Sequence, residues 1–159
     1  MRVCFLRHGP AGDPDDWKGA DEDRPLTGHG RALVRDVGRS LADHGIGFDA
    51  VVTSPYARCA QTAAIVAEET GTVDVSPDDR LAPGFDVDDF GHLLSEHGEA
   101  RSILLVGHEP DFSETVGTLV GGARLHVKRA AIACIDRPDP QSGDWTLELL
   151  AQPGVMKEP

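Results

Sequence analysis

The stretch Val3-Cys4-Phe5-Leu6-Arg7-His8-Gly9 decides the fold of this chain. Four apolar residues with no polar face read as a short buried strand. The strand stops abruptly at a cation and an imidazole. In open α/β sheets, ligands bind outside the carboxyl ends of the strands, so this ending places Arg7 and His8 at a candidate site. A second run, Ile103-Leu104-Leu105-Val106, ends the same way in Gly107-His108-Glu109-Pro110. Two strands that each present a histidine at one sheet edge make a poor core and a good site.

Around these two runs, apolar segments alternate with helical patterns, the signature of an α/β sheet. Strands are expected over 3–6, 50–53, 73–75 and 102–106, with a closing pair over 131–135 and 145–150. Thr27 is a candidate cap for a helix to about Asp43, with Leu33, Val34, Val37 and Leu41 on one face and Gly45 beyond its end. A helix over 56–70 is expected to bury Ala60, Ala63, Ala64 and Ala67 and to stop at Gly71. Further helices are expected over 87–97 and 112–120, the latter ending in Gly121-Gly122. Polar loops cover 77–85 and 137–143. The segment 10–23, rich in Asp, Gly and Pro, reads as an acidic surface loop attached directly to His8, where it can flank the site.

The 159 residues are most simply one domain over 1–159. Hydrophobic residues make up 40% and charged residues 26%, as in ordinary globular proteins. With 15 Lys+Arg against 27 Asp+Glu the formal charge is −12, which argues against nucleic acid or an anionic membrane as the main partner. The apolar start is too short for a signal-peptide core, and no run approaches a membrane span. Cysteines at 4, 59 and 134 show no metal or redox spacing. Cys4 and Cys134 lie in apolar runs and read as buried packing residues, so a reducing, cytoplasmic location is the expectation.

A histidine that attacks phosphorus needs one unprotonated, aimed ring nitrogen, and the phosphoryl oxygens need donors. Arginine suits that task, since its planar fork matches phosphate and stays protonated. Three arginines are placed for it: Arg7 beside His8, Arg24 in Asp23-Arg24-Pro25-Leu26-Thr27, and Arg58 in the first turn of the second helix. An arginine in a first turn opposes the helix dipole and is better explained when an anion sits there too. The start of the fourth helix offers the Glu109 N–H as a further donor. No clustered metal-ligand set is present, so neither metal nor cofactor is expected. His29, His44, His92, His97 and His126 have no motif around them and read as ordinary surface histidines.

Leu6-Arg7-His8-Gly9, Arg24-Pro25-Leu26-Thr27 with Gly30, Ser54-Pro55 with Arg58-Cys59-Ala60-Gln61-Thr62, and Val106-Gly107-His108 together resemble the histidine phosphatase superfamily. These are also called the phosphoglycerate mutase-like proteins. The likeness runs from residue 1 to about 120. The short length without an inserted cap domain, and the tail 152–157, resemble the SixA branch. The resemblance implies a three-layer α/β/α sandwich on a mostly parallel sheet with one antiparallel strand. It implies His8 as nucleophile, with Arg7, Arg58 and a protonated His108 holding the phosphoryl oxygens. Arg24, Gly9 and Glu109 join as substrate-binding residues.

One departure bears on the substrate. Many ester-cleaving members carry an acid where this chain has Pro83 in Asp79-Arg80-Leu81-Ala82-Pro83-Gly84. An alkoxide, whose parent acid has a pKa of about 15 as for water, needs a proton as it departs. An imidazole, with a conjugate-acid pKa of about 6.5, can depart already neutral from a protonated phosphohistidine. The implied activity is removal of phosphate from a histidine-phosphorylated signalling or phosphocarrier protein. A phosphatase of small phosphate esters or nucleotides is the alternative, with Asp86, Asp88 or Asp89 supplying the proton, and a catalytically silent phosphoprotein-binding module is another.

Overall fold

Alternation along β1 (Arg2–Arg7) splits the core into two halves. Cys4 and Leu6 face one side of the sheet, and Val3 and Phe5 face the other. The structure, a computed structural model, describes residues 1–139 and 143–156. Its six strands are β1, β2 (Ala50–Thr53), β3 (Val75–Pro77), β4 (Ser102–Gly107), β5 (Ile132–Asp136) and β6 (Thr146–Ala151), in spatial order β3-β2-β4-β1-β5-β6. β3, β2, β4 and β1 pair in parallel, while β5 runs against both β1 and β6. β5 is therefore the one antiparallel strand, as the resemblance implied.

Four helices cover the two faces: α1 (Gly28–Asp43), α2 (Ala57–Thr70), α3 (Val87–Glu96) and α4 (Asp111–Leu119). Val34, Val37 and Leu41 of α1 and Ala63 and Val66 of α2 pack on Cys4, Leu6, Val51 and Leu104. Phe90 and Leu93 of α3 and Phe112 and Val116 of α4 pack on Val3, Phe5, Ile103 and Leu105. Thr27 caps α1, its Oγ1 accepting from Gly30 N at 2.9 Å. Gly30 is required by close approach, because a Cβ there would lie 2.0 Å from Pro10 O. That contact pins the segment leaving His8 against the start of α1.

Several local expectations shift. β3 begins at Val75 rather than Val73, which is 98% exposed. Thr72 N bonds back to Ala67 O and still belongs to the end of α2, so the chain reaches the sheet two residues later. Ala64 of α2 faces solvent and Ala60 is half-buried; the inner face instead takes Arg58, Cys59 and Thr62, polar groups that periodicity of apolar residues overlooks. The loop expected over 137–143 lies partly outside the described residues.

Cys4 and Cys134 are buried as expected, but as a disulfide rather than as two free thiols. They are cross-strand partners in the β1–β5 ladder, where side chains on one face meet. Cysteine usage therefore gives no support to a reducing compartment. Thiol titration of the protein unfolded without reductant is expected to find Cys59 alone of the three cysteines. Three reactive thiols would remove the disulfide.

Candidate active site

His8 follows the last residue of β1 and His108 the last residue of β4, its parallel neighbour, so the register Arg7↔Gly107 sets the two imidazoles side by side. Their ring centroids are 5.5 Å apart and both side chains are buried. His8 Nδ1 donates to Gly9 O at 2.8 Å, which leaves Nε2 bare in the neutral ring. Burial first, then the neighbouring Arg58, His108 and Arg7, pushes His8 down to about 3 despite the Gly9 bond. His8 is thus a neutral imidazole with a free lone pair throughout the physiological range.

His108 is set in the opposite tautomer. Ser54, fully buried at the end of β2, accepts from Tyr56 N–H at 3.3 Å and has Oγ 2.9 Å from His108 Nε2. Its hydroxyl proton is best placed on that nitrogen, a stronger acceptor than the Cys59 sulfur beside it. Cys59 spends its own weak donor on Gly107 O at 3.7 Å. The ring proton of neutral His108 then sits on Nδ1, away from Ser54. The resemblance implied a protonated His108. In the site as it stands, burial, followed by Arg58 and Arg7, pushes its pKa down to about 4, with Asp21 opposing. Ser54→Ala is expected to mix the His108 tautomers, visible in the 15N shifts of the ring, and to cut kcat roughly tenfold, the scale of one hydrogen bond. Unchanged 15N shifts would refute the assignment.

Both depressed histidines carry a stability consequence. In the unfolded chain each takes a proton near 6.5, while in the fold His8 takes one only near 3 and His108 near 4. Between these values the unfolded chain binds more protons, so stability is full above 6.5 and falls as the pH drops below it. The slope approaches about 1.4 kcal/mol per pH unit for each histidine. Urea midpoints should fall from about pH 7 to about pH 5, where carboxylates stay ionised, and the His8→Ala, His108→Ala double variant should show a flatter profile.

Arginines flank the pair. Arg7 Nη1 donates to Val127 O at 3.0 Å, and burial lowers its pKa from the usual value. Arg58, 5% exposed in the first turn of α2, donates from Nη1 to Asp21 O at 2.8 Å and from Nη2 to Asp21 Oδ2 at 3.0 Å. The Nε atoms of both arginines are buried without a partner among the described residues. No side chain caps α2 at Tyr56, so its first N–H groups and dipole add to the same positive field. Two orphaned guanidinium donors and an uncapped helix start beside a neutral imidazole can hold an oxyanion and present it to a nucleophile.

Two of the expected substrate-binding residues have other work, and the third keeps its expected N–H donor. Gly9 N–H donates to Thr62 Oγ1 at 3.1 Å, so it is spent on the scaffold, while its carbonyl holds His8. Arg24 donates to Asp21 Oδ1 at 2.9 Å and to Ala11 O and Gly12 O at 3.1 and 3.0 Å, which secures the loop 10–23. Glu109 directs its carboxylate to Ser113 N at 3.1 Å, and its own N–H meets no acceptor among the described residues. Asp86, Asp88 and Asp89 lie at the start of α3, where Asp86 caps the Asp88 and Asp89 N–H groups. Pro83 sits in the exposed loop before that helix. The five ordinary histidines stay outside the site.

Sequence reasoning missed Asp21, Ser54, Tyr56 and Thr62. Thr62 donates to Arg58 O at 2.7 Å while accepting from Gly9, which ties the arginine's turn to the residue after His8. Gln61 Oε1 takes Leu26 N–H at 2.9 Å and fastens α2 to the chain entering α1. Ser54, Gln61 and Thr62 all stood in the motif stretches, but their partners lie far away in sequence. Asp21 was hidden among the acidic residues of its loop.

Comparison with known proteins agrees with this geometry. Residues 3–83 match the model of the histidine phosphatase superfamily (branch 1). An uncharacterised protein of Picosynechococcus sp. is 33% identical over 141 residues, covering 83% of this chain and 82% of its own. The structure of the protein histidine phosphatase SixA complexed with tungstate superposes with a TM-score of 0.88 at 25% identity, over 99% of this chain and 100% of that one. The alpha-ribazole phosphatase of Shigella flexneri shares the fold, with a TM-score of 0.77 at 20% identity over 96% and 97%. The family match contains Arg7, His8, Arg24 and Arg58, the second histidine comes to the same edge through β4, and the chain belongs to the histidine phosphatase superfamily as one of its phosphatases.

Proposed function

We propose that this protein is a phosphohistidine phosphatase, acting as a single domain over 1–159 on a histidine-phosphorylated signalling or phosphocarrier protein. His8 Nε2 attacks phosphorus, the P–N bond to the substrate imidazole breaks, and its electron pair returns to that nitrogen. Water then displaces His8 and releases phosphate. Arg7, Arg58 and the His108 Nδ1–H hold the phosphoryl oxygens, and the Glu109 N–H adds a donor. Arg24 serves by holding Asp21 and its loop. Neither nucleic acid nor membrane takes part, and no helix among the described residues is long and apolar enough to cross a membrane. A cytoplasmic place of action belongs to the same proposal.

One observation carries the reading. The carboxylate that touches Arg58 is Asp21, and its hydrogen bond to Arg24, with Arg58 adding to it, holds it below the usual carboxylate range. It stays ionised and has no proton to give an alkoxide. Pro83 has no proton to give, and Asp86 Oδ1 is engaged in capping the Asp88 and Asp89 N–H groups. A P–N bond needs no acid from the enzyme, because an imidazole ring already protonated on its other nitrogen leaves neutral. The likeness to SixA supports the same choice.

The test measures phosphate release from a phosphohistidine-bearing protein and from p-nitrophenyl phosphate side by side, with His8→Ala as blank. Preference for phosphohistidine is expected. An ester preference of orders of magnitude in kcat/KM would make this a small-ester phosphatase instead, and activity on neither would favour a binding module.

A further inference from the structure

A cavity of about 250 Å³, lined by Glu22, Asp23, Pro55, Tyr56 and Ala57, borders the candidate site through Tyr56. Its aromatic wall belongs to the site. The Tyr56 ring meets His108 edge-on with centroids 5.0 Å apart, and the Arg58 guanidinium lies 4.9 Å from the same ring. Arg58 is the buried cation whose Nε has no partner among the described residues. Tyr56 thus links the cavity to the arginine proposed to hold the phosphoryl group. The volume lies below the roughly 300–1,000 Å³ of pockets for drug-sized ligands, which suits a single ring rather than a nucleoside.

The cavity carries two acidic side chains, Glu22 and Asp23. Glu22 and Asp23 are exposed, and neither is ion-paired among the described residues. Asp21, the neighbouring carboxylate, is tied to Arg24 and Arg58. Two free carboxylates next to an anionic substrate are repulsive unless the leaving group is itself a cation. Alcohols and phenols are not cations. A phosphorylated imidazole, protonated on its other nitrogen, is one.

We propose that Glu22, Asp23 and Tyr56 form a leaving-group pocket for imidazolium, a specificity site that rests on the phosphohistidine reading above. The ring lies against Tyr56 and Pro55, and its N–H⁺ points to the carboxylates. Their charge keeps the ring protonated at higher pH. When His8 Nε2 takes the phosphoryl group, the P–N electron pair returns to the ring nitrogen and the ring departs as neutral imidazole, its other N–H retained. No further proton is needed.

The experiment compares phosphoimidazole with p-nitrophenyl phosphate in the wild type and in a Glu22→Gln, Asp23→Asn double variant, across pH. The wild type should prefer phosphoimidazole. In the variant the ratio of kcat/KM values, phosphoimidazole over ester, should fall at least about tenfold, the effect of one pKa unit. The alkaline fall of the phosphoimidazole profile should move to lower pH, which a merely structural role would not produce. A wild-type preference for phosphoimidazole with an unmoved ratio and profile in the variant overturns the pocket and leaves the phosphohistidine reading standing. A wild-type preference for the ester overturns that reading, and the pocket with it.

Discussion

Replacement of His8 by alanine is expected to abolish turnover on every phosphorylated substrate while leaving the protein folded. Removal of a covalent nucleophile costs on the order of 10⁴-fold or more in kcat. His8 also keeps about 8% of its surface exposed and lies beyond the last residue of β1, so its ring is not part of either apolar half of the core. Its deletion even removes a buried ionisable group whose protonation the fold disfavours. Rapid alkaline quench with labelled substrate checks the chemistry, since phosphohistidine is acid-labile and alkali-stable: wild type should show a labelled His8 and the variant none. Collapse of the variant's circular dichroism, rather than of its activity alone, would return Arg7-His8-Gly9 to a structural turn.

Arg58→Ala is the second large effect. A single oxyanion donor is worth roughly 10²–10³-fold in kcat, and Arg58 brings a guanidinium whose Nε is buried and unpartnered. The change does more than delete a donor. It releases the Asp21 carboxylate from one of its two arginines and withdraws a cation that now lowers both histidines. The His8 and His108 pKa values should therefore rise while kcat falls. Histidine titration by NMR alongside kcat separates these effects. A variant with wild-type kcat would take Arg58 out of the site, and one with lost kcat but unmoved histidines would deny it the electrostatic role.

The strands and helices were legible because their causes are local. Apolar runs of β1 and β4, the Thr27 cap and the Gly71 stop act within a few residues of themselves, and the structure keeps all of them. The gathering of Arg7, His8, Arg58 and His108 was legible for a related reason, since each sits where a regular element starts or ends, and parallel α/β folds bring those ends to one edge. The misreadings have an equally physical cause. An alanine-rich helix has no strong apolar face, and Ala64 turns outward because Cys59, Thr62, Ala63 and Val66 take the inner side, with Thr62 bonded to Gly9.

By itself, then, the sequence determined the α/β order of elements and the two histidines at strand ends. The tertiary structure alone decided which groups hold those histidines. Ser54 meets His108 across 54 residues and Asp21 meets Arg58 across 37. The disulfide joins Cys4 to Cys134 across 130. Such pairs depend on strand order β3-β2-β4-β1-β5-β6 and on its register. A hydrogen bond or a disulfide acts over a few ångströms of space, and the chain's local periodicity says nothing about which distant residue will stand there.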